Sequence, residues 1–311
     1  MNVLIRSAQI IDPNSSHNGK KRDILIEGGI IKSIKLNIKA DKTTRIIEHD
    51  NLCVSPGWFD MQANYCDPGN EHMEDLHSGS KAAAAGGFTG VALMPSTHPP
   101  IASKADIEYI KNKTTNYIVD IFPIGSLSEN MEGKNISEMY DMQSAGAVAF
   151  SDDKTLSGNS GLLLKALLYS KSFNGKIMSW CYDKSISPDG VMNEGASSAF
   201  LGLKGMPAVA EEIIVARNIF LAEYTGSPIH ISSISTEKSV DLIRKAKKRK
   251  LKITASVNAY NLAMNDDLLN DFDTNYKVMP PLRTNEDIEA LKQGVADGTI
   301  DVIAVSYTHL T

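Results

Sequence analysis

Three polar residues alternate with apolar ones close to position 60 of the chain. Asp60, Gln62 and Asn64 stand two residues apart in the stretch "GWFDMQANYCDPG". On a β-strand this spacing places the three side chains on one face. A carboxylate and two amides facing one interior are typical of a binding or catalytic site. None of the three is a histidine, however, and an amide offers only a neutral oxygen to a metal ion.

The histidines elsewhere in the chain do not form an alternative metal-binding pattern. The seven histidines are His17, His49, His72, His77, His98, His230 and His309. No two are separated by one, three or four residues, the spacings that place two imidazoles on one strand or helix face. The sequence therefore predicts no histidine-rich metal centre.

Composition limits the class of protein. The chain has 311 residues, is 42% hydrophobic and 22% charged, and carries a net charge of -5. These values are typical of a soluble globular protein with a large core, and the acidic balance argues against nucleic acid or an anionic membrane as partner. No stretch approaches the roughly 20 apolar residues of a membrane span. Three scattered cysteines, Cys53, Cys66 and Cys181, and the lack of a signal peptide favour the cytoplasm.

Hydrophobic patterning divides the chain into two parts. Residues 1–54 predict short strands, with a hairpin turn at Gly28-Gly29, and hence a small β domain. From 55 to 311, apolar strands alternate with helical segments. The predicted strands lie at 58–63, 88–94, 118–124, 147–150, 176–181, 228–232, 252–257 and 301–305. Eight strand–helix repeats over about 250 residues predict an α/β fold of the TIM-type (β/α)8 class. The alternative is a doubly wound open sheet, but no Gly-rich loop follows the first strand.

In a TIM barrel the functional side chains lie at the C-terminal ends of the strands. The candidates at these ends are Gln62, Asn64, Cys66, Ser96, Asp152, Asp153, Trp180 to Asp183, Ser233 and Asn258 to Asn261. We therefore expect these residues, which are far apart in sequence, to surround one site.

Several longer stretches resemble one family. "SPGWFDMQANYCDPG", "GSKAAAAGGFTGVALMPSTHP", "AGAVAFSDDK" and "FDTNYKVMPPLRTNEDIEAL" are similar to dihydroorotases of the multifunctional-complex type, within the amidohydrolase superfamily. The resemblance runs in order from residue 1 to about 304. It implies a metal-dependent hydrolase barrel with a small β-sandwich-like domain made from both chain ends. It also implies the interconversion of carbamoyl-aspartate and dihydroorotate in pyrimidine biosynthesis, with zinc as the family's cofactor.

The chain departs from that family at the positions that hold metal and substrate. By resemblance, Gln62 and Asn64 replace two histidines, Cys66 an arginine, Ser96 an asparagine, Trp180 and Ser233 two further histidines, and Met279 another asparagine. Asp152 is the only family metal ligand retained on this interpretation. Since zinc requires three or four imidazole, thiolate or carboxylate ligands, we expect no bound metal. Loss of the arginine also removes the partner of a substrate carboxylate.

Two functional hypotheses remain open from the sequence. The first is a non-catalytic dihydroorotase homologue with a structural role, with aspartate transcarbamoylase as partner and assembly as a homo-oligomer. The second is an active cyclic-amide hydrolase with an altered centre, in which Asp152, Asp183 and His230 supply acid and base. Each residue also has a structural interpretation. Asp152 can bind loop backbone, His230 can be a hydrogen-bonded strand residue, and Cys66 and Cys181 can be inert thiols near the barrel mouth.

The C-terminal sequence departs abruptly from the family pattern. After "TIDVIA" the family continues into Ser-Asp-His and a proline, whereas this chain reads "VSYTHLT". We interpret the sequence as truncated after strand eight, with Val305 to Thr311 resembling the read-through of a sequencing adapter rather than native protein.

Overall fold

The computed structural model describes residues 2–155 and 158–305. Most of the segment interpreted as non-native, residues 306–311, lies outside the described residues. The chain separates into two compact units, with the boundary between Trp58 and Phe59. The domain boundary predicted after residue 54 falls shortly before this point.

The first unit is a five-stranded sheet. Its strands are β1 (Val3–Ile10), β2 (Lys21–Glu27), β3 (Ile30–Lys35), β4 (Arg45–Ile47) and β5 (Cys53–Val54). β1 pairs antiparallel with β2 and parallel with β4 and β5. The hairpin between β2 and β3 turns at Gly28 and Gly29, whose φ angles of 58° and 80° favour glycine.

The second unit is a nearly closed barrel of eight parallel strands, which confirms the predicted TIM-type fold. The barrel strands are β6 (Trp58–Ala63), β7 (Phe88–Leu93), β8 (Asp120–Gly125), β9 (Ala149–Phe150), β10 (Ile177–Trp180), β13 (Ile229–Ser232), β14 (Ile253–Asn258) and β15 (Val302–Ala304), in this spatial order. A separate pair, β11 (Met192–Asn193) and β12 (Gly205–Met206), forms a two-stranded sheet. The Asp60 carboxylate accepts a hydrogen bond from the backbone N–H of Val305, which connects the first and last barrel strands.

Eight α-helices connect the strands of this unit or lie in their loops. They are α1 (Leu76–Ala85), α2 (Lys104–Lys113), α3 (Met139–Ala145), α4 (Ser160–Ser170), α5 (Ala196–Leu201), α6 (Val209–Thr225), α7 (Glu237–Lys248) and α8 (Asn285–Ala296). Asp75, Ser103 and Thr284 begin α1, α2 and α8, each accepting a hydrogen bond from a backbone N–H of the first turn. The two shortest helices are α3 with seven residues and α5 with six, which is too short to show much of the helical repeat in sequence.

The main hydrophobic core lies between the outside of the barrel and the helices. It contains apolar residues of every barrel strand except β15, and Phe150 is its member from β9. A second, smaller cluster lies inside the barrel. It consists of Met61, Ala92, Met94, Ile124, Ala149 and Met178. In the part of the chain that the structure describes, no helix is both long and apolar enough to cross a membrane.

The outer core provides the first testable prediction. Ile231 on β13 is fully buried, whereas Ile118 is 77% exposed. We expect Ile231→Ala to lower the free energy of unfolding by about 2–5 kcal/mol, because it removes buried methyl groups and leaves a cavity. The matched control Ile118→Ala should change it by less than about 0.5 kcal/mol. Urea unfolding of both variants checks this, and equal losses would contradict the position of the core.

Candidate functional site

Side chains at the C-terminal ends of the barrel strands surround one small cavity. This cavity, called the polar pocket below, has a volume of about 30 Å³. Its lining residues are Gln62, Asn64, Met94, Asp153, Lys154, Trp180, Ser233 and Met279. The structure thus brings together Gln62, Asn64, Trp180, Ser233 and Met279, which the sequence had placed at equivalent family positions.

The polar groups of this pocket are largely bonded to one another. Ser233 Oγ lies 2.9 Å from Gln62 Oε1 and 2.9 Å from Asn258 Oδ1, so its single proton serves one of two acceptors. Asn258 Nδ2 donates to the Tyr260 hydroxyl over 2.7 Å, and that hydroxyl donates to the Met279 carbonyl over 3.0 Å. A continuous network therefore joins strand β6 to the loop that carries Met279. Asn258 was expected at this end of the barrel, but its hydrogen-bond partners could not be predicted from the sequence.

Ser96 and Cys66 lie beside the pocket. Asn64 Nδ2 donates to Ser96 Oγ over 3.3 Å, and Ser96 Oγ donates to Asp153 Oδ2 over 2.7 Å. Cys66 is buried with its backbone N–H directed at Asn64 Oδ1, and its φ of 54° is a turn conformation. Burial and the nearby Glu74 carboxylate raise the pKa of the Cys66 thiol, which disfavours the thiolate that a metal requires.

Asp152 makes the loop-backbone contacts of its structural interpretation. Asp152 Oδ1 accepts hydrogen bonds from the backbone N–H groups of Leu127 and Ser128, each over 2.8 Å, and Oδ2 accepts one from the Ser128 hydroxyl. These bonds hold the loop after β8, while burial raises the pKa of the Asp152 carboxyl. The neighbouring Asp153, with a left-handed φ of 46°, turns its side chain into the polar pocket instead. Asp153 is therefore the carboxylate that lines the polar pocket.

Two large apolar side chains, Trp180 and Met279, also line the polar pocket. Trp180 and Tyr182 are buried, with ring centroids 5.7 Å apart, and pack in one cluster with Met206 and Ala210. Met279 packs against that cluster. The indole and the thioether chain thus take up part of the volume at the pocket.

The residues of the polar pocket do not fit a zinc ion. One carboxylate, Asp153, is accompanied by neutral amide and hydroxyl groups and by the Lys154 ammonium, which repels a cation. Within residues 2–155 and 158–305, no three His, Cys, Asp or Glu side chains lie close enough together to hold a metal. The mismatch between this pocket and a zinc ion follows from the chemical nature of the side chains that line the pocket. It does not depend on the metal content of any preparation.

The proposed acid–base groups do not meet in the structure. His230 is buried, with Nδ1 2.9 Å from Thr254 Oγ1 and Nε2 3.1 Å from Ser256 Oγ. Asp183 instead accepts hydrogen bonds from the backbone and the hydroxyl of Ser185. Asp152, as described above, binds the loop after β8. Each of the three groups is therefore hydrogen-bonded to its own neighbours, and the three do not share a partner. Cys181 Sγ likewise accepts a hydrogen bond from Asn218 Nδ2 on α6 over 3.2 Å, and its thiol donates to the Ser179 carbonyl; the described cysteines are free.

The barrel, with its polar residues at the C-terminal strand ends, has the fold of the cyclic-amide hydrolases among the amidohydrolases. It superposes on an L-hydantoinase (dihydropyrimidinase) from Arthrobacter aurescens with a TM-score of 0.82 and 21% identity, covering 98% of this chain and 69% of that one. A D-hydantoinase from Thermus sp. gives a TM-score of 0.76 and 20% identity over 98% of this chain and 69% of the other. At these identities the similarity establishes the fold.

Sequence similarity establishes the family more narrowly. Residues 51–239 match the family model described as dihydro-orotase-like. A dihydroorotase of Ruminiclostridium cellulolyticum is 43% identical over 308 residues, which are 99% of this chain and 72% of the relative. One of Acetivibrio thermocellus is 44% identical over 306 residues, 98% of this chain and 71% of the relative. The chain belongs to the dihydroorotase family, which acts in pyrimidine biosynthesis.

Burial of His230 makes stability depend on pH. Desolvation lowers the pKa of His230 to about 4, outweighing the nearby Asp301 carboxylate, whereas an unfolded histidine titrates near 6.5. The unfolded chain therefore binds the proton first, and stability falls as the pH drops from about 6.5 towards 4. We expect the wild type to lose about 2 kcal/mol more than His230→Gln between pH 7.5 and 5.0, in urea unfolding. The exposed control His49→Gln should behave like the wild type, and a pH-independent difference would contradict the burial.

Proposed function

We propose that this chain is a non-catalytic member of the dihydroorotase family with a structural role beside aspartate transcarbamoylase. The observation that carries this proposal is the polar pocket. Its Ser233 hydroxyl lies within hydrogen-bond distance of the side-chain oxygens of Gln62 and Asn258. The oxygens of this network are neutral amide and hydroxyl oxygens, whereas zinc is held by imidazole, thiolate or carboxylate groups.

The space available supports the same conclusion. The pocket volume of about 30 Å³ lies far below the range of about 300–1,000 Å³ that is typical of small-molecule sites. Dihydroorotate is a six-membered ring bearing a carboxylate and requires several times the volume of this pocket. Trp180 and Met279 would both have to move to admit it. The Cys66 side chain, buried and with a raised pKa, offers no positive charge to the carboxylate.

The alternative, an active cyclic-amide hydrolase with an altered centre, has less support. General acid–base catalysis requires groups within hydrogen-bond reach of one reacting atom. Asp152 holds the Leu127–Ser128 backbone, Asp183 binds Ser185, and His230 binds Thr254 and Ser256. Asp153 is the one carboxylate of the pocket, and no histidine among the described residues lines the pocket with it.

The proposed partners and location rest on the family and on composition. A structural role requires a well-packed barrel but does not require groups that bind metal or substrate. We propose association with aspartate transcarbamoylase, self-association and a cytoplasmic location, where the free thiols Cys53, Cys66 and Cys181 remain reduced. Size measurement by sedimentation, alone and with aspartate transcarbamoylase, tests the assembly. A monomer that leaves the enzyme's sedimentation unchanged would exclude it.

The lack of catalysis is directly testable. We expect the purified protein, after dialysis against zinc, to retain less than about 0.1 zinc per chain and to show no turnover of dihydroorotate, because the pocket lacks both ligands and space. A dihydroorotase with the family's histidine pair is the positive control in the same assay. Stoichiometric zinc with measurable turnover would contradict the proposal. Turnover of dihydroorotate, hydantoin or allantoin that Asp153→Asn abolishes would instead support the altered enzyme.

Restoring ligands tests the position of the site. Gln62→His with Asn64→His should create weak zinc binding together with Asp153, and adding Trp180→His and Ser233→His should tighten it by at least about tenfold, since structural and catalytic sites use three or four ligands. Zinc affinity is measured by competition with a chromophoric chelator.

The two neighbouring aspartates provide a matched control for this experiment. In the fourfold variant, Asp153→Asn should weaken zinc binding, whereas Asp152→Asn should leave the affinity unchanged and reduce only the stability. Equal, negligible affinity in the double and fourfold variants would mean that the strand ends do not converge as described.

A further inference from the structure

A large cavity lies at the end of the barrel opposite the polar pocket. It has a volume of about 550 Å³ and is called the basal cavity below. It is lined by Ala149, Ile177, Ile229 and Ile253, the first residues of β9, β10, β13 and β14. The basal cavity is therefore at the N-terminal end of the strands. Its volume falls within the range of about 300–1,000 Å³ typical of small-molecule sites.

Small side chains inside the barrel create this space. TIM barrels usually fill their interior with layers of bulky branched residues. Here Ala92 and Ala149 occupy the interior layer together with Met61, Ile124 and Met178, and all five line the basal cavity. Two short side chains in one layer leave volume that the unbranched methionines do not fill. The result is an apolar chamber that is open to solvent at the barrel end.

Two lysines stand at the mouth of the basal cavity. Lys176 directly precedes β10, Lys252 directly precedes β14, and Pro228 occupies the same level before β13 between them. The pairing of Ile177 with Ile229 and of Ile229 with Ile253 fixes this common level. Two strand spacings separate the lysine backbones by about 10 Å.

Neither lysine is neutralised by the protein. Both are exposed, and in the part of the chain that the structure describes neither side chain forms an ion pair or a hydrogen bond. Other lysines of this unit, such as Lys113 and Lys247, bind Asp67 and Asp301. The mouth therefore carries two positive charges whose flexible side chains can both reach one anion.

The inner wall of the basal cavity offers little to a polar ligand. His230 and Thr254 line it, but His230 Nδ1 and Thr254 Oγ1 are already bonded to each other. The low pKa of His230 keeps the imidazole neutral near pH 7. A charged group is thus favoured at the mouth and an uncharged, apolar group inside.

We infer that the basal cavity binds an apolar monocarboxylate, with its hydrocarbon or aryl part inside the barrel and its carboxylate between Lys176 and Lys252. Burial of the apolar part removes surface from water and provides most of the affinity. The lysines add a smaller contribution, since partly exposed ion pairs are weak, and select the anion over a neutral or cationic head group. This site is independent of the function proposed for the polar pocket.

Competition against a fluorescent probe tests this inference on the whole chain. 1-Anilinonaphthalene-8-sulfonate, an aromatic anion, should bind saturably, and octanoate should displace it. We expect octanol to compete about three- to tenfold more weakly and octylammonium to compete least. In the double variant Lys176→Gln, Lys252→Gln, octanoate and octanol should compete equally within about twofold. The exposed Lys165, outside the cavity, provides the control Lys165→Gln, which should retain the preference for octanoate.

A second variant tests the chamber itself. Ala149→Phe should fill the cavity and weaken both octanoate and octanol at least about tenfold, with circular dichroism and the melting temperature showing that the fold persists. Gln62→Leu in the polar pocket should leave both affinities unchanged, which separates the two sites. Absence of saturable probe binding, or octanoate binding that neither Ala149→Phe nor the double lysine variant alters, would overturn the inference.

Discussion

Convergence of the parallel strands is the constraint on which the rest of the site depends. In a barrel the side chains at the C-terminal strand ends point into one small volume, and water has little room there. Each polar group must then find a partner within that volume or bear a desolvation cost. In a metalloenzyme the metal ion is the common partner. Here Ser233 lies within 2.9 Å of both Gln62 and Asn258, so these polar groups find their partners in one another.

The same constraint favours neutral groups at the strand ends when no cation binds between them. Several carboxylates or imidazoles at the strand ends would repel one another, or shift their pKa values, if no cation bound between them. Amide and hydroxyl groups are donors and acceptors without charge, so they can pair among themselves. The carboxylates that remain in the barrel are each held by N–H or O–H donors. Asp152 accepts from Leu127 and Ser128, and Glu211 accepts from the backbone and hydroxyl groups of Ser235 and Thr236.

The sequence predicted the framework of the site well and its details less well. The strand predicted at 176–181 is observed at Ile177–Trp180, because an apolar run bounded by turn residues determines a buried strand. Once the strands are placed, barrel geometry brings Gln62, Trp180 and Ser233 together without further information. The choice between Asp152 and Asp153 could not be made in this way. It depends on a left-handed φ at one residue of a turn, and both residues are aspartate. The basal cavity also escaped prediction, because alanines on two separate strands share a layer only after the register is known.

A chain of polar contacts inside the barrel runs from its C-terminal end to its N-terminal end. It consists of Ser233, Ser256, His230 and Thr254. Ser256 Oγ accepts the backbone N–H of Ser233 over 3.0 Å and lies 3.1 Å from His230 Nε2, while His230 Nδ1 faces Thr254. Either neutral tautomer satisfies both contacts, with one ring nitrogen donating a hydrogen bond and the other accepting one. A protonated ring would have to donate to both the Thr254 and the Ser256 hydroxyl. The neutral imidazole is therefore part of the packing between the basal cavity and the polar pocket, and its low pKa is a consequence of that position.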